Sequence, residues 1–328
     1  MIDRRKMLRL GAAGLATGAL GATWGCSPKK PAATGAPLSM QASWVNDAEF
    51  IGYFVAIAND WYASEGLAFN YLQGGPEKVA DEVLAKGQCD IALTNPDGTF
   101  QAILNQGAPF KIIGTQYQKS PLGIVSLDKN KILQPKDLVG KRLAVPDANK
   151  ITARAFLELN GVDPASVQFV KYLYDPTILV NGTVDATVDF VTNVPYSIRL
   201  QGQFPTSFLF ADHNFGMFMD TVVVREETLK TKRKELISFL RASRRGWNEN
   251  FKDVNVYPEK FMKTFYKENG RTVDNEKYFN GQQKPLMEAP TGIFSMSEEG
   301  IEETIRSLDR IGLKAPRSTF VTDLLAEV

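Results

Sequence analysis

The period of the hydrophobic positions changes repeatedly along the chain. "LSMQASW" (38–44) reads as a strand. "EFIGYFVAIANDWYASEG" then places apolar residues at 50, 51, 54, 55, 57, 58 and 61, one face of a helix. Asp47 is positioned to cap its first turn and Gly66 to follow its last. "LAFNYL" alternates like a strand, and "PEKVADEVLAKG" predicts a helix entered at Pro76 and left at Gly87. "CDIALTN" is a strand, "DGTFQAILNQG" a helix, and "FKIIGTQY" a strand. Beyond Pro121, "LGIVSL", "RLAVP", "VQFVKY" and "DATVDFV" are strand-like, while "KITARAFLELNG" and "VPYSIRLQG" are helix-like. After "FGMFMDTVVVREETL" residues 226–312 read as successive helices, the longest being "REETLKTKRKELISFLRASRRGWNENF" with a solvated charged face. Such alternation predicts α/β units around a mostly parallel sheet. A chain of 328 residues is too long for one small core, so two lobes are expected.

An internal echo supports two similar halves. "LAKGQCDIALTNPD" holds Leu84, Gly87, Asp90 and Asn95; "LVNGTVDATVDFVTNVPY" holds Leu179, Gly182, Asp185 and Asn193. In both, a helix ends at glycine, a short strand with an aspartate follows, and the strand ends in an asparagine near a proline. Ligands of open α/β sheets bind beyond the carboxyl ends of strands, so Asn95 and Asn193 are expected to face a common cleft.

The first residues have a different character. "MIDRRKMLRLGAAGLATGALGATWGC" opens with Arg4, Arg5, Lys6 and Arg9, then runs without charge to Gly25. It resembles a twin-arginine export signal over residues 1–25. Cys26 and the polar "SPKKPAATGAP" resemble a lipoprotein anchor and its tether, residues 26–37. Ordinary cleavage within 26–37 is the alternative. Removing 1–25 takes away four bases and one acid and turns the net charge from +1 to −2. That balance gives no basic field for nucleic acid. Beyond residue 30 no run of 18 apolar residues occurs. Cys89 sits in an apolar strand pattern and is expected to be a small buried hydrophobe.

Catalytic signatures are missing. The chain has one histidine, His213, and a histidine catalyst needs an orienting partner with a nucleophile or metal in reach. No His/Cys/Asp cluster has metal spacing, and no Walker A, GxGxxG or GxSxG pattern follows a strand. The pairs Glu226–Glu227 and Glu302–Glu303 fall on helical surface stretches. A non-enzyme without cofactor or metal is therefore expected.

"WVNDAEFIGYFVAIANDWYASEGLAFNYLQGG", then "VADEVLAKGQCDIALTNPD", "IIGTQYQKSPLGIVSL" and "QPKDLVGKRLAVP", run in the order found in type II periplasmic binding proteins of ABC importers. The chain resembles their thiamine-precursor and riboflavin-binding branch, the thiamine-biosynthesis-like family, over about residues 38–312. Sulfonate and nitrate binders are similar more distantly. The resemblance implies an α/β, two-lobed periplasmic binding protein fold of type II, each lobe a mostly parallel sheet with flanking helices and a cleft between them. Lobe one would comprise 38–118 and 216–328, lobe two 119–215, with hinges near "QYQKSPLG" and "HNFGMFMD". It also implies an exported monomer that captures a small molecule by closing and delivers it to a membrane permease.

A flat heteroaromatic ligand needs aromatic faces for area and a few polar groups for orientation. The residues expected to supply them are Trp44, Asn46, Phe50, Tyr53, Asn95 and Asp97 in lobe one, and Tyr117 and Gln118 at the first crossing. Asn149, Asn193 and Tyr196 would contribute from lobe two, and Asn214 from the return crossing. Each has a plainer role available: core for Trp44 and Phe50, helix cap for Asp97, turn for Asn149 and Asn214. Gly52 either lets a ring lie against the backbone or lets the helix pack closely. At Glu49–Phe50 the chain departs from pyrimidine-binding relatives, which often carry histidine there, and "AEFIGYFVA" is closer to the riboflavin pattern. Two alternatives remain: an oxyanion carrier, which "DANKITARAF" does not favour for want of small residues at the helix start, and a pyrimidine-synthesis enzyme of the same fold.

Overall fold

The structure, a computed structural model, describes residues 35–328 apart from Pro76 and Glu268. The export segment, Cys26 and most of the tether lie outside those residues, as does the helix entry expected at Pro76.

Among the described residues ten strands form two sheets: β1 (Ala36–Gln41), β2 (Leu67–Leu72), β3 (Ile91–Thr94), β4 (Phe110–Tyr117), β5 (Leu122–Leu127), β6 (Arg142–Val145), β7 (Gln168–Lys171), β8 (Ala186–Phe190), β9 (Pro205–Leu209) and β10 (Met219–Arg225). Their orders are β2-β1-β3-β10-β4 and β7-β6-β8-β5-β9. Each sheet is mixed. Strands β1, β2 and β3 run parallel, and β10 inserts antiparallel between β3 and β4. Likewise β6, β7 and β8 run parallel, and β5 lies antiparallel between β8 and β9. The inverted strand of each sheet is the one entering from the other sheet, through residues 118–121 and 210–218. Strand β1 begins at Ala36, so the last residues assigned to the tether pair with Leu67 and Ala68 instead.

The helices are α1 (Ile51–Ala58), α2 (Trp61–Ser64), α3 (Ala80–Ala85), α4 (Pro96–Gln106), α5 (Lys150–Leu159), α6 (Thr177–Val180), α7 (Val194–Leu200), α8 (Glu226–Thr231), α9 (Arg233–Asn250), α10 (Val256–Phe261), α11 (Val273–Met287) and α12 (Glu298–Arg310). Two expected helices are interrupted. The run after Glu49 turns at Asp60, which is left-handed at φ 56°, and the charged run after Arg225 breaks at Lys232 between α8 and α9. Strand β9 went unforeseen because it opens at Pro205; as an edge strand it tolerates the missing N–H. Among the described residues no helix is long and apolar enough to cross a membrane.

The echo has a physical basis. Asp90 accepts the backbone N–H of Ser39 at 2.9 Å and pairs with Lys232 at 2.7 Å. Asp185 accepts the backbone N–H of Arg142 at 2.9 Å and holds its guanidinium at 2.9 Å. In each sheet an aspartate before the third parallel strand thus ties down the first or its counterpart.

The central strands bury both faces. In β10, Val222 and Val224 join the core around Phe54 and Trp247, while Val223 joins the core around Phe100 and Phe156. This explains the unbroken apolar run. Cys89 is buried in the latter core, as expected. Helices α1 and α9 meet backbone to backbone. A Cβ at Gly246 would overlap the Gly52 carbonyl, and one at Gly52 would overlap the Trp247 ring. Gly52 is therefore a packing glycine. Gly246→Ala should lower stability by about 1–3 kcal/mol, as overpacking does, read as a fall in the denaturant midpoint at unchanged slope. An unchanged midpoint would contradict the close approach.

Candidate ligand-binding cleft

The loops beyond the carboxyl ends of the parallel strands of the two sheets meet. Trp44, after β1, stands with its ring centroid 5.8 Å from that of Tyr174, after β7. Asn193, after β8, accepts a hydrogen bond from Asn275 of α11 at 3.1 Å. Tyr196 of α7 lies 5.2 Å from Tyr278 of α11, and the Arg199 guanidinium lies 5.3 Å over the same ring. Phe190, at the end of β8, packs against both main cores.

Beneath Trp44 the first sheet presents buried acids. Asp220 is 2 % exposed and left-handed at φ 50°, a rare conformation inside a strand. Its ladder neighbours pair normally, Met219 with Tyr117 and Thr221 with Thr115, so the residue facing Asp220 on β4 is Gln116. Gln116 donates through Nε2 to Asp220 Oδ2 at 3.0 Å and to the Glu49 carbonyl at 2.8 Å. Ser43 Oγ lies 3.4 Å from both Glu49 Oε1 and Asp220 Oδ1. Burial, then the charges of Asp220 and Asp47, hold the Glu49 carboxyl well above the usual range. Burial also raises Asp220, to about 7, and its interactions with Glu49 and Ser43 oppose the rise. Deeper, Asp47 caps the turn at Glu49 N and is held by Arg271 at 2.7 Å; Glu276 accepts from Ala48 N at 2.7 Å.

The second sheet answers with Asp189, 6 % exposed on β8. Thr187 shares its face of the strand, and the residue opposite Asp189 is Gly123, whose Cβ position is taken by the Phe208 carbonyl and Val191. Burial pushes Asp189 up to about 7 against the opposing hydroxyls of Tyr172 and Thr187. Burial, then the charge of Asp189, raises Tyr174, whose ring lies 5.8 Å from that of Tyr172. Asp189 Oδ2, the hydroxyls of Tyr172, Thr187 and Thr192, Asn95 Oδ1 and Gln116 Oε1 are all buried without a regular hydrogen-bond partner. Such groups are unusual, and the Tyr53 and Tyr266 hydroxyls and Trp247 Nε1 in the first core share the condition.

The expected residues divide. Trp44, Asn95, Asn193 and Tyr196 stand at the meeting of the loops, Asn95 and Asn193 as the residues preceding α4 and α7. Asn46 accepts from the Tyr71 hydroxyl at 3.1 Å. Asp97 and Thr152 line a shallow groove of about 240 Å³ between α4 and α5, with Asn149 just before α5. Phe50 and Tyr53 are buried in the first core, Tyr53 6.1 Å from Phe239 and 6.2 Å from Trp247. There they serve packing: Tyr53 faces α9, and Phe50, just before α1, meets the Tyr71 ring at 6.4 Å. Tyr117 is also core, donating to Gln283 at 2.8 Å, and Gln118 binds the Ser295 carbonyl at 3.0 Å. Asn214 takes an exposed left-handed turn at φ 63°, which asparagine tolerates. His213 packs edge-on 4.7 Å from Phe208. Sequence reading missed Ser43, Gln116, Tyr172, Tyr174, Thr187, Asp189 and Asp220. A lone aspartate inside the apolar strands "ATVDF" and "MDTVVVR" was the available signal for two of them.

Known proteins resemble this chain in sequence and fold. "Riboflavin-binding protein RibY" of Chloroflexus aurantiacus is 24 % identical over 214 residues, 64 % of this chain and 61 % of that protein. "4-amino-5-hydroxymethyl-2-methylpyrimidine phosphate synthase" of Legionella pneumophila is 25 % identical over 218 residues, 64 % of this chain and 67 % of that one. The chain thus matches about three fifths of the length of RibY. The periplasmic aliphatic sulphonate-binding protein SsuA of Escherichia coli shares the fold at TM-score 0.66 and 14 % identity, over 89 % of this chain and 97 % of that one. The family model described as "NMT1/THI5 like" matches residues 47–254, well over half of the sequence, and with it the chain belongs to the NMT1/THI5-like family.

Proposed function

We propose that this chain is the exported substrate-binding protein of an ABC importer, and that it captures a flat vitamin-type heteroaromatic, riboflavin or a thiamine pyrimidine precursor, between two lobes. The lobes are 38–118 with 216–328, and 119–215; residues 1–25 direct export and Cys26 anchors the mature protein by lipid. The observation that carries the ligand class is the Trp44–Tyr174 pair, one ring from the loops of each sheet, near buried polar atoms without regular partners. A flat ligand that parts these two rings would gain two aromatic faces, with Asp189 and Asp220 available to its polar edge. The relatives named for riboflavin and for a pyrimidine support this class. The carboxyls argue against an oxyanion, since the nearby Arg271 is already engaged by Asp47 and Glu276. The lone histidine, seated against Phe208, argues against histidine-dependent synthesis. Closure presents a shape to the permease.

A thermal-shift panel of riboflavin, thiamine, aminopyrimidines, taurine and nitrate tests the ligand class, because a ligand bound to the native state alone raises the melting point. Shifts by the anions alone would refute it. Trp44→Ala and Tyr174→Ala should each weaken heteroaromatic binding about tenfold, roughly 1.4 kcal/mol, in a titration, with the fold intact by circular dichroism; full affinity in both variants would remove the stacking role.

Asp189 makes a separate prediction for the ligand-free protein. Its folded pKa of about 7 lies above the ordinary value of 3.8. Between those values the native state holds a proton that the unfolded state has released, so stability falls as pH rises through that window. The melting point should drop from pH 5 to pH 8, and Asp189→Asn should flatten the drop. An identical slope in the variant would show that the group does not titrate this way.

A further inference from the structure

Helix α7 follows β8 of the second sheet, and α11 belongs to the chain that follows β10 of the first. Each is seated firmly on its own side. Ile198 of α7 is buried in a small core with Val125 and Leu179. On α11, Glu276 accepts the Ala48 N–H at 2.7 Å, and Gln283 donates to the Ala48 carbonyl at 2.7 Å and accepts from the Tyr117 hydroxyl at 2.8 Å. Asn280 of α11 is bonded to Asn250 of α9 at 2.8 Å. The faces that α7 and α11 turn to each other are different in kind. Asn193, Tyr196 and Arg199 recur every third residue along α7 and the residue before it, and Asn275 and Tyr278 do so on α11, so each set shares one side of its helix. Asn275 Nδ2 donates to Asn193 Oδ1 at 3.1 Å. The rings of Tyr196 and Tyr278 stand 5.2 Å apart at 35°, and the Arg199 guanidinium lies 5.3 Å over Tyr278. Both tyrosines are half-buried and stand outside the hydrophobic cores of the described residues. At the crossings the reverse holds. Phe215 and Phe218 lie in a core shared by both sheets, and Ser307 Oγ of α12 donates to the Gly216 carbonyl at 2.6 Å.

We propose that the α7–α11 contact is a latch that holds the two lobes together before any ligand arrives. Tyr278 is its central residue, because it meets both Tyr196 and Arg199. Two rings, a cation and an amide pair, all outside the cores, separate without opening a core, while the crossings stay packed. Ring pairs and a cation over a ring attract at these distances, but each contact is weak. A latch of that kind shifts a population of open and closed molecules rather than locking one of them. A ligand that binds only the closed form then has less of the closing free energy to supply, and its apparent affinity follows the closed fraction. The inference rests on the two-lobe reading above and is independent of which guest the cleft takes.

The test is small-angle X-ray scattering of the mature protein without ligand. The wild type should show the radius of gyration calculated from this structure with its tether. Tyr278→Ala should raise that radius, and Tyr278→Arg, which sets a second cation beside Arg199, should raise it at least as far. Alanine and arginine are both good helix formers, and circular dichroism with a single melting transition verifies the fold of each variant. Enlargement in Tyr278→Ala supports the latch. A wild type already wider than the structure overturns the inference and leaves the mobile lobes standing. Enlargement in Tyr278→Arg alone does the same, since the lobes then part without being held by the native contact. With a compact wild type, no enlargement in either variant overturns both the latch and the mobile lobes.

Discussion

Each sheet of this protein is completed by a strand that has just left the other. Strand β5 leaves the first sheet and inverts into the second; β10 leaves the second and inverts into the first. Backbone N–H and C=O groups in buried sheets must be paired, so neither sheet is whole without both crossings. That requirement places the ends of the parallel strands of both sheets in one gap. It also places Asp220, the second residue after the return crossing, and Gln116, near the end of the outgoing strand, side by side. The acidic floor is a consequence of the strand exchange.

The polar groups where the two sheets meet are balanced differently from the cation-paired acids elsewhere. Asp90 and Asp185 have a backbone N–H and a cation each, and Asp47 has Arg271. Asp189 has hydroxyls, and Asp220 has an amide and another acid. Burial without a cation raises both. The proposed preference for neutral or donor-rich guests over anions rests on that imbalance.

Much of the architecture was legible because strands buried on both faces and helices opened by proline or closed by glycine leave periodic marks. "FKIIGTQY" and "LGIVSL" coincide with β4 and β5, and Gly107 closes α4. The site was legible where local chemistry decides it. Asn95 and Asn193 stand before helices whose first turns contain proline, and Trp44 follows a strand. It was illegible where a partner distant in sequence decides. Tyr53 belongs to the core because α9, nearly two hundred positions later, covers it, and Phe50 because Tyr71 of β2 does. Tyr174 lies in the exposed "YLYDP" stretch, where only the loop after β1 gives it meaning. Asp220 hides in an apolar strand, and its backbone twist has no sequence mark beyond a residue type that tolerates it.

The contact between α1 and α9 has a consequence for how the family can vary. Gly52, Gly246 and Trp247 occupy one volume: the indole fills the space a side chain at 52 would need, and the carbonyl of 52 fills the space a side chain at 246 would need. No one of the three can enlarge alone. A side chain at 52 calls for a smaller ring at 247, and a side chain at 246 calls for a shift of the 52 backbone, so the two helices are free to change here only together.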